Sequence, residues 1–282
     1  MKLARLKRDE ILALVDQRAT AVRDYLLWAR QNDTDERSFR MARRGDIRDA
    51  GQAADRFPED WWGVVVFTCF GSVLGARAVA PQFQSPLPSA QAEAVLNGIN
   101  FLRGSVGHHR IQPAVTGAKE ALVSACRHHA FFHDVLHSGE DFDTRYRRLR
   151  EAHPRQWGRT TSFDLLLRTG TLGIGGQRYK PEYAYLAGST GPRAGFEHIW
   201  DRSLSDSATV DWAEALLRTW NDEWAAVAER VGVEWAMPPL EPSDQENFLC
   251  IYQEFLARPG RRPSPRQARL RRRLVDARRR LC

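Results

Sequence analysis

Hydrophobic residues along this chain recur mostly at helical spacing, and few stretches alternate as strands do. Leu6, Ile11, Leu14, Val15, Val22, Leu26 and Trp28 predict an amphipathic helix over residues 5–30. A polar stretch, Asn32–Arg56, follows. Phe57-Pro58-Glu59-Asp60 then has the makeup of a helix start, because proline suits the first turn and acids suit the positive end of the helix dipole. The apolar run Trp61–Ala76 is short for a membrane span, rich in glycine and closed by Arg77, so it is expected as a buried element with no membrane partner. Pro81–Pro88 reads as a loop, with Ser89 capping a helix over 90–102. Further helices are predicted from Pro113 to about Leu136 and from Asp141 to His153. Trp212, Leu216, Trp220, Trp224, Val227 and Val231 form one helical stripe with Asp211 in its first turn, and such a stripe is read as core. Pro238, Pro239 and Pro242 break the chain before a last helix, Ser243–Leu256. The fold is expected to be mainly α, with an N-terminal helical region (1–88), a catalytic or DNA-binding helical domain (89–256) and a basic tail (257–282).

Composition adjusts this picture in a few places. A chain of 282 residues with 43% apolar content can bury a sizeable core as one large or two small domains. A formal net charge of +7, carried mostly by arginine, favours an anionic partner, nucleic acid first. A GC-rich genome, which enriches arginine, produces the same excess without function, so the balance as a whole does not decide the matter. The dense arginine run near the C-terminus is read more firmly, as a phosphate-binding tail. Arg40, Arg43, Arg44 and Arg48 are taken as a solvated surface in preference to a DNA-facing one. The four cysteines are scattered and lack metal spacing, and the N-terminus becomes charged again before a signal-peptide core forms. A reduced, cytoplasmic setting is expected. Cys126, His129, His133 and His137 share one helix face, and His129 with His133 has zinc-ligand spacing. There is no HExxH, and Leu122, Phe132 and Leu136 pack alongside, so a structural stripe is preferred to a metal site.

The chemistry concentrates between Trp157 and Gly195. Glycines here alternate with hydroxyls, aromatics and cations, among them Thr161, Arg168, Tyr179, Lys180, Tyr185, Ser189, Thr190 and Arg193. Glycine permits tight turns and close ligand approach, tyrosine can stack on a base, and arginine or lysine can hold phosphate. Thr161-Ser162-Phe163-Asp164 begins a helix that Gly170 ends. Gly173-Ile174-Gly175 then resembles the hairpin of the helix-hairpin-helix DNA-binding element, with a second helix expected after it, although Pro181 departs from that pattern. Gly188-Ser189-Thr190-Gly191-Pro192 reads as a second turn able to form a nest of amides, without the ending of a Walker A loop.

The segments WGRTTSFDLLLRTG, LGIGGQRYKPEYAYL and GSTGP resemble the enzymes of phage thymine hypermodification: the amino acid:DNA transferases and the related glutamyl/putrescinyl-thymine pyrophosphorylases. The resemblance implies that a 5-hydroxymethyl pyrimidine in DNA, activated as a pyrophosphate ester, exchanges pyrophosphate for an amine or amino acid. Under it, Arg168, Lys180 and Arg193 stabilise the departing pyrophosphate, with Ser189 and Thr190 as donors and Gly173 and Gly175 shaping the site. Tyr179 or Tyr185 stacks on the extruded base, and Asp164, or else Glu182, orients or deprotonates the amine. The partners are DNA and a small amine or amino-acid donor. No cofactor is required, and Mg²⁺ on the pyrophosphate is compatible. Two other readings stay open: a non-catalytic helix-hairpin-helix DNA-binding protein, and a DNA glycosylase or lyase using Glu197 or Asp201.

Overall fold

In a computed structural model, the described residues are 5–34, 39–57, 60–102, 105–106, 115–152, 157–234 and 240–256, with the side chains of 31–45 outside that set. The arginine tail, Pro58, Pro113, Pro238, Pro239 and the side chains of Arg40, Arg43 and Arg44 therefore lie outside what is described. The chain is mainly α: fourteen helices and no strand occur among the described residues. In order they are α1 (Arg8–Gln17), α2 (Ala19–Thr34), α3 (Phe39–Ala54), α4 (Asp60–Phe70) and α5 (Val73–Val79). Then come α6 (Ser89–Gly98), α7 (Val115–Arg127), α8 (His129–His137), α9 (Phe142–Ala152) and α10 (Arg159–Leu172). The last are α11 (Gly191–Trp200), α12 (Ser207–Asp222), α13 (Trp224–Arg230) and α14 (Pro242–Leu256). They divide into two compact units, one of residues 1–43 with 182–282 and the other of 44–181. These cuts fall elsewhere than at 88 and 256, and the second falls inside the glycine-rich stretch.

The split-chain unit packs α11 against α14 and α2, and α1 against α12 and α13. Its core takes in most of the tryptophan stripe: Leu216, Trp220, Trp224, Val227 and Val231 are buried. Trp212 is half-buried, with the Arg202 guanidinium 4.0 Å from its ring centre. The stripe starts a turn earlier than expected, because Asp206 caps α12 by accepting from the Thr209 amide at 2.8 Å. It also breaks at Glu223 into two helices. The helix expected over 5–30 likewise breaks at Arg18, whose guanidinium donates to Ile199 O at 3.0 Å and His198 O at 3.3 Å. A cation there satisfies orphan carbonyls at the negative end of α11.

The continuous unit is built around α4, whose residues 61–70 are all buried. A helix apolar on every side belongs in the middle of a core, and α5, α7 and α10 pack on it. No single helix among the described residues is long and apolar enough to cross a membrane. The pair α4 and α5 reaches the length only with a bend of 120°. Trp157, fully buried, donates its indole N–H to Ala121 O at 3.3 Å and packs on Phe132, and so fixes the entry to α10.

Candidate active site

Asp164 and Arg168 lie one turn apart on α10. They form an ion pair at 3.4 Å, with side-chain exposures of 14% and 6%. Arg168 also donates to Thr68 Oγ1 at 3.3 Å and lies over the Phe67 ring, both on α4. Its guanidinium is thus committed to the packing of α10 on α4. What it offers a ligand is the orientation of Asp164, rather than a reachable positive charge.

The hairpin pattern is not completed beyond this helix. Gly173 ends α10 in the left-handed region (φ 73°), where the Ile174 amide bonds back to Thr169 O at 2.9 Å. No helix occurs between Gly173 and Thr190. Proline at 181, lacking an N–H, fits an irregular segment better than a helix interior. The glycine amides therefore do not sit at the start of a second helix, where a phosphate would meet the positive dipole. Gly175 (φ 81°) is needed for contact as well as for turning, since a Cβ there would lie 2.4 Å from Leu136 O.

Tyr179 closes the turn from within. It is 9% exposed, and its hydroxyl shares a 2.6 Å hydrogen bond with Thr169 Oγ1. The Arg145 guanidinium lies 4.0 Å from its ring centre. Arg145, itself buried, donates to Leu136 O at 2.8 Å and Glu140 O at 2.7 Å, which are carbonyls at and just beyond the end of α8. The ring is therefore walled in, and this placement argues against its stacking on an extruded base. Lys180 and its neighbour Arg178 are exposed.

The residues from 182 onward belong to the other unit. There the organising group is Glu214, which sequence reasoning absorbed into the tryptophan stripe. Its buried carboxylate accepts from the Ala184 amide at 2.8 Å and the Leu186 amide at 2.5 Å. Between those two amides Tyr185 takes a left-handed conformation (φ 53°), which is uncommon for a residue with a Cβ. Its half-buried ring meets Tyr183 edge-on. Ser189 is buried and donates to Leu186 O at 2.8 Å, so its hydroxyl serves the loop. Thr190 is exposed and is the N-cap residue of α11, with no side-chain cap bond.

Arg193 pairs with Glu197 at 3.3 Å, and Glu197 also accepts from the Leu204 amide at 2.8 Å. Asp201 ends α11, with its side chain 80% exposed and paired to Arg18. Both carboxylates of the glycosylase reading thus serve the end of α11. Glu182, the second choice for the amine, faces Arg218 at 3.8 Å. Helix α11 itself was missed in the sequence, although Pro192 at its start and Phe196, Ile199 and Trp200 at helical spacing carried the signal.

A groove of about 380 Å³ between α6 and α7 was not foreseen. Glu93 and Asn97 line it from α6, and Lys119, Glu120, Ser124 and Arg127 from α7. Beyond the end of α7, the histidine stripe is explained by local contacts. His129 Nδ1 lies 3.0 Å from Cys126 O, His137 Nδ1 lies 2.8 Å from His133 O, and the His133 and His137 rings stack. No group of three or more His, Cys, Asp or Glu side chains is gathered for a metal among the described residues. Burial pushes the Cys126 thiol up to about 11.

Comparison with known proteins adds one finding to this geometry. None of the curated proteins and none of the solved structures compared matches the chain. Residues 102–230, which hold α7 through α13, match the family described as alpha-glutamyl/putrescinyl thymine pyrophosphorylase clade 3. Over that span the chain is similar to the family that its glycine-rich stretch resembles.

Proposed function

We propose that this protein acts on DNA as a thymine-hypermodifying transferase. It replaces the pyrophosphate of an activated 5-hydroxymethyl pyrimidine with an amine. The observation that carries this reading is the family match over residues 102–230, whose description ties that span to glutamyl- and putrescinyl-thymine chemistry. In the reaction, the amine nitrogen forms a bond to the 5-methylene carbon. The carbon–oxygen bond to pyrophosphate breaks, and its electron pair leaves with the pyrophosphate. The proton lost from the nitrogen passes to a carboxylate.

Asp164 suits the carboxylate role. Arg168 orients it from a buried position, so little reorganisation is needed as the neutral amine attacks and its nitrogen becomes cationic. Arg168 is accordingly a positioning residue. The charge on departing pyrophosphate calls for accessible cations, and Lys180 with Arg178 fits that need better than Arg168 does. In the other unit, taken by itself, Arg193, Ser189, Thr190 and Tyr185 are proposed as substrate contacts, with Tyr185 the better base-stacking candidate because Tyr179 is enclosed.

The test compares nucleosides, by mass spectrometry, in DNA from cells carrying the wild-type protein, Asp164→Asn or Lys180→Ala. Loss of a general base costs about 100-fold or more. An amine-bearing thymidine present with the wild type and reduced at least that far with Asp164→Asn supports the assignment. Unchanged nucleosides with Asp164→Asn would remove Asp164 from the mechanism. Absence of any modified thymidine with the wild type would overturn the transferase reading.

A further inference from the structure

The groove between α6 and α7 has a charge pattern that selects among ligands. On α7, Glu120, Ser124 and Arg127 fall at intervals of four and three, so they form one stripe facing α6, with Lys119 beside Glu120 at its edge. At 1.5 Å rise per residue, Lys119 and Arg127 are about 12 Å apart along the axis, with Glu120 between them. On α6, Glu93 and Asn97 share one face in the same way. Arg127 Nε lies 3.4 Å from Ser89 Oγ, the first residue of α6, so the end of α7 lies beside the start of α6. The two helices therefore run antiparallel, and Glu93 sits one turn further along the groove from Arg127. Lys119, at the other end, leans over the Phe101 ring with its Nζ 5.4 Å from the centre. The groove thus carries Glu93 about one turn from Arg127 and Glu120 beside Lys119 at the other end, a carboxylate near each cation, while Leu96 and Val123 supply apolar wall. Glu93, Glu120 and Arg127 are exposed. A volume of about 380 Å³ is at the lower end of small-molecule sites.

We infer that this groove binds the amine donor, and that the donor is a free amino acid rather than a diamine. An ammonium group is matched by Glu93 and Glu120. The carboxylate beside it on the same molecule is matched by Arg127 or Lys119, and arginine can bind a carboxylate through two parallel hydrogen bonds. A diamine would meet the same acids but would also face two cations with nothing to pair them, which disfavours it. The use of the bound amino acid as donor rests on the transferase reading above. Its binding does not.

The experiment is calorimetric titration of the full chain, without DNA, with glycine, L-glutamate and putrescine. The inference predicts that at least one of the two amino acids binds and that putrescine binds at least 10-fold more weakly. Glu93→Gln with Glu120→Gln, and separately Arg127→Ala, should each weaken amino-acid binding by 10-fold or more while leaving the thermal midpoint near wild type. Cys126→Ser, on α7 but outside the groove lining, serves as a control that should bind normally. Putrescine binding as tightly as the amino acids, no binding of either amino acid, or binding untouched in well-folded groove variants would each overturn the inference. Amino-acid binding in a protein that modifies no DNA would leave the groove standing and remove the transferase reading. Modification of DNA by a protein whose groove binds no amino acid would do the reverse.

Discussion

Arg145 and Tyr179 show how far residue type falls short of residue role. A tyrosine among glycines and cations reads as a base-stacking platform. The structure places it against a buried guanidinium and bonds its hydroxyl to Thr169 at 2.6 Å. Tyr179→Phe should therefore cost about 1 kcal/mol in urea unfolding, the net worth of one hydrogen bond, and leave DNA modification nearly unchanged. A large loss of modification with intact stability would return Tyr179 to the site. Glu214 makes the opposite case, an acid that contributes by satisfying buried backbone. Glu214→Ala strips an acceptor from the amides of Ala184 and Leu186 and should destabilise the protein by about 1–3 kcal/mol. The helical setting of Asp164 was legible, because it stands early in a helix within the glycine-rich stretch, and its role is a proposal. The burial of Arg168 was not, since Thr68 and Phe67, which hold it, are a hundred residues away in sequence.

At the scale of elements, the hydrophobic period located most helices and missed the breaks. The apolar stripe continues straight through Arg18 and Glu223, because short helices packed on one core share a face. Only capping contacts, such as Arg18 on the carbonyls of α11, reveal the interruption. The turn Gly188–Pro192 reads equally as a structural turn or as a nest of amides, and two glycines of this region serve packing. A Cβ at Gly191 would lie 2.6 Å from Cys250 Sγ, and one at Gly195 would lie 2.2 Å from Leu249 O. These glycines let α11 approach α14 closely. Gly195→Ala should cost about 1–3 kcal/mol or more, because the obstructing atom is backbone. Gly98→Ala, at the end of α6 with nothing within 4 Å of its Cβ, should be neutral or stabilise by up to about 1 kcal/mol. Thermal or urea unfolding of the two variants checks the contrast, and equal effects would refute the packing account.

For the molecule as a whole, pattern and composition indicated a mainly helical chain, and three short segments carried the resemblance to the family that matches residues 102–230. The division into units was not, because the chain leaves one unit and returns to it, and no composition shift marks Pro181. Charge also sets how each unit responds to acid. Arg148, by hydrogen bonding, holds the Glu140 carboxyl below its usual range, and the Thr144 and Thr209 amides do the same for Asp141 and Asp206. Each depressed group contributes stability that is complete above the ordinary carboxylate range, near pH 4. That stability is lost as pH falls through the lowered folded value. The thermal midpoint should therefore drop between about pH 5 and pH 3, and Glu140→Gln should make the drop shallower. A midpoint flat across that interval would show that these contacts do not contribute.

The most direct test of the central claim uses the purified full chain with DNA carrying pyrophosphorylated 5-hydroxymethyluracil and L-glutamate or putrescine. Released pyrophosphate and the digested nucleosides are measured together. The account predicts pyrophosphate release that depends on the amine, matched by an amine-bearing thymidine, and loss of both with Asp164→Asn. Intact activated base and no released pyrophosphate, from a folded protein supplied with either amine, would contradict it.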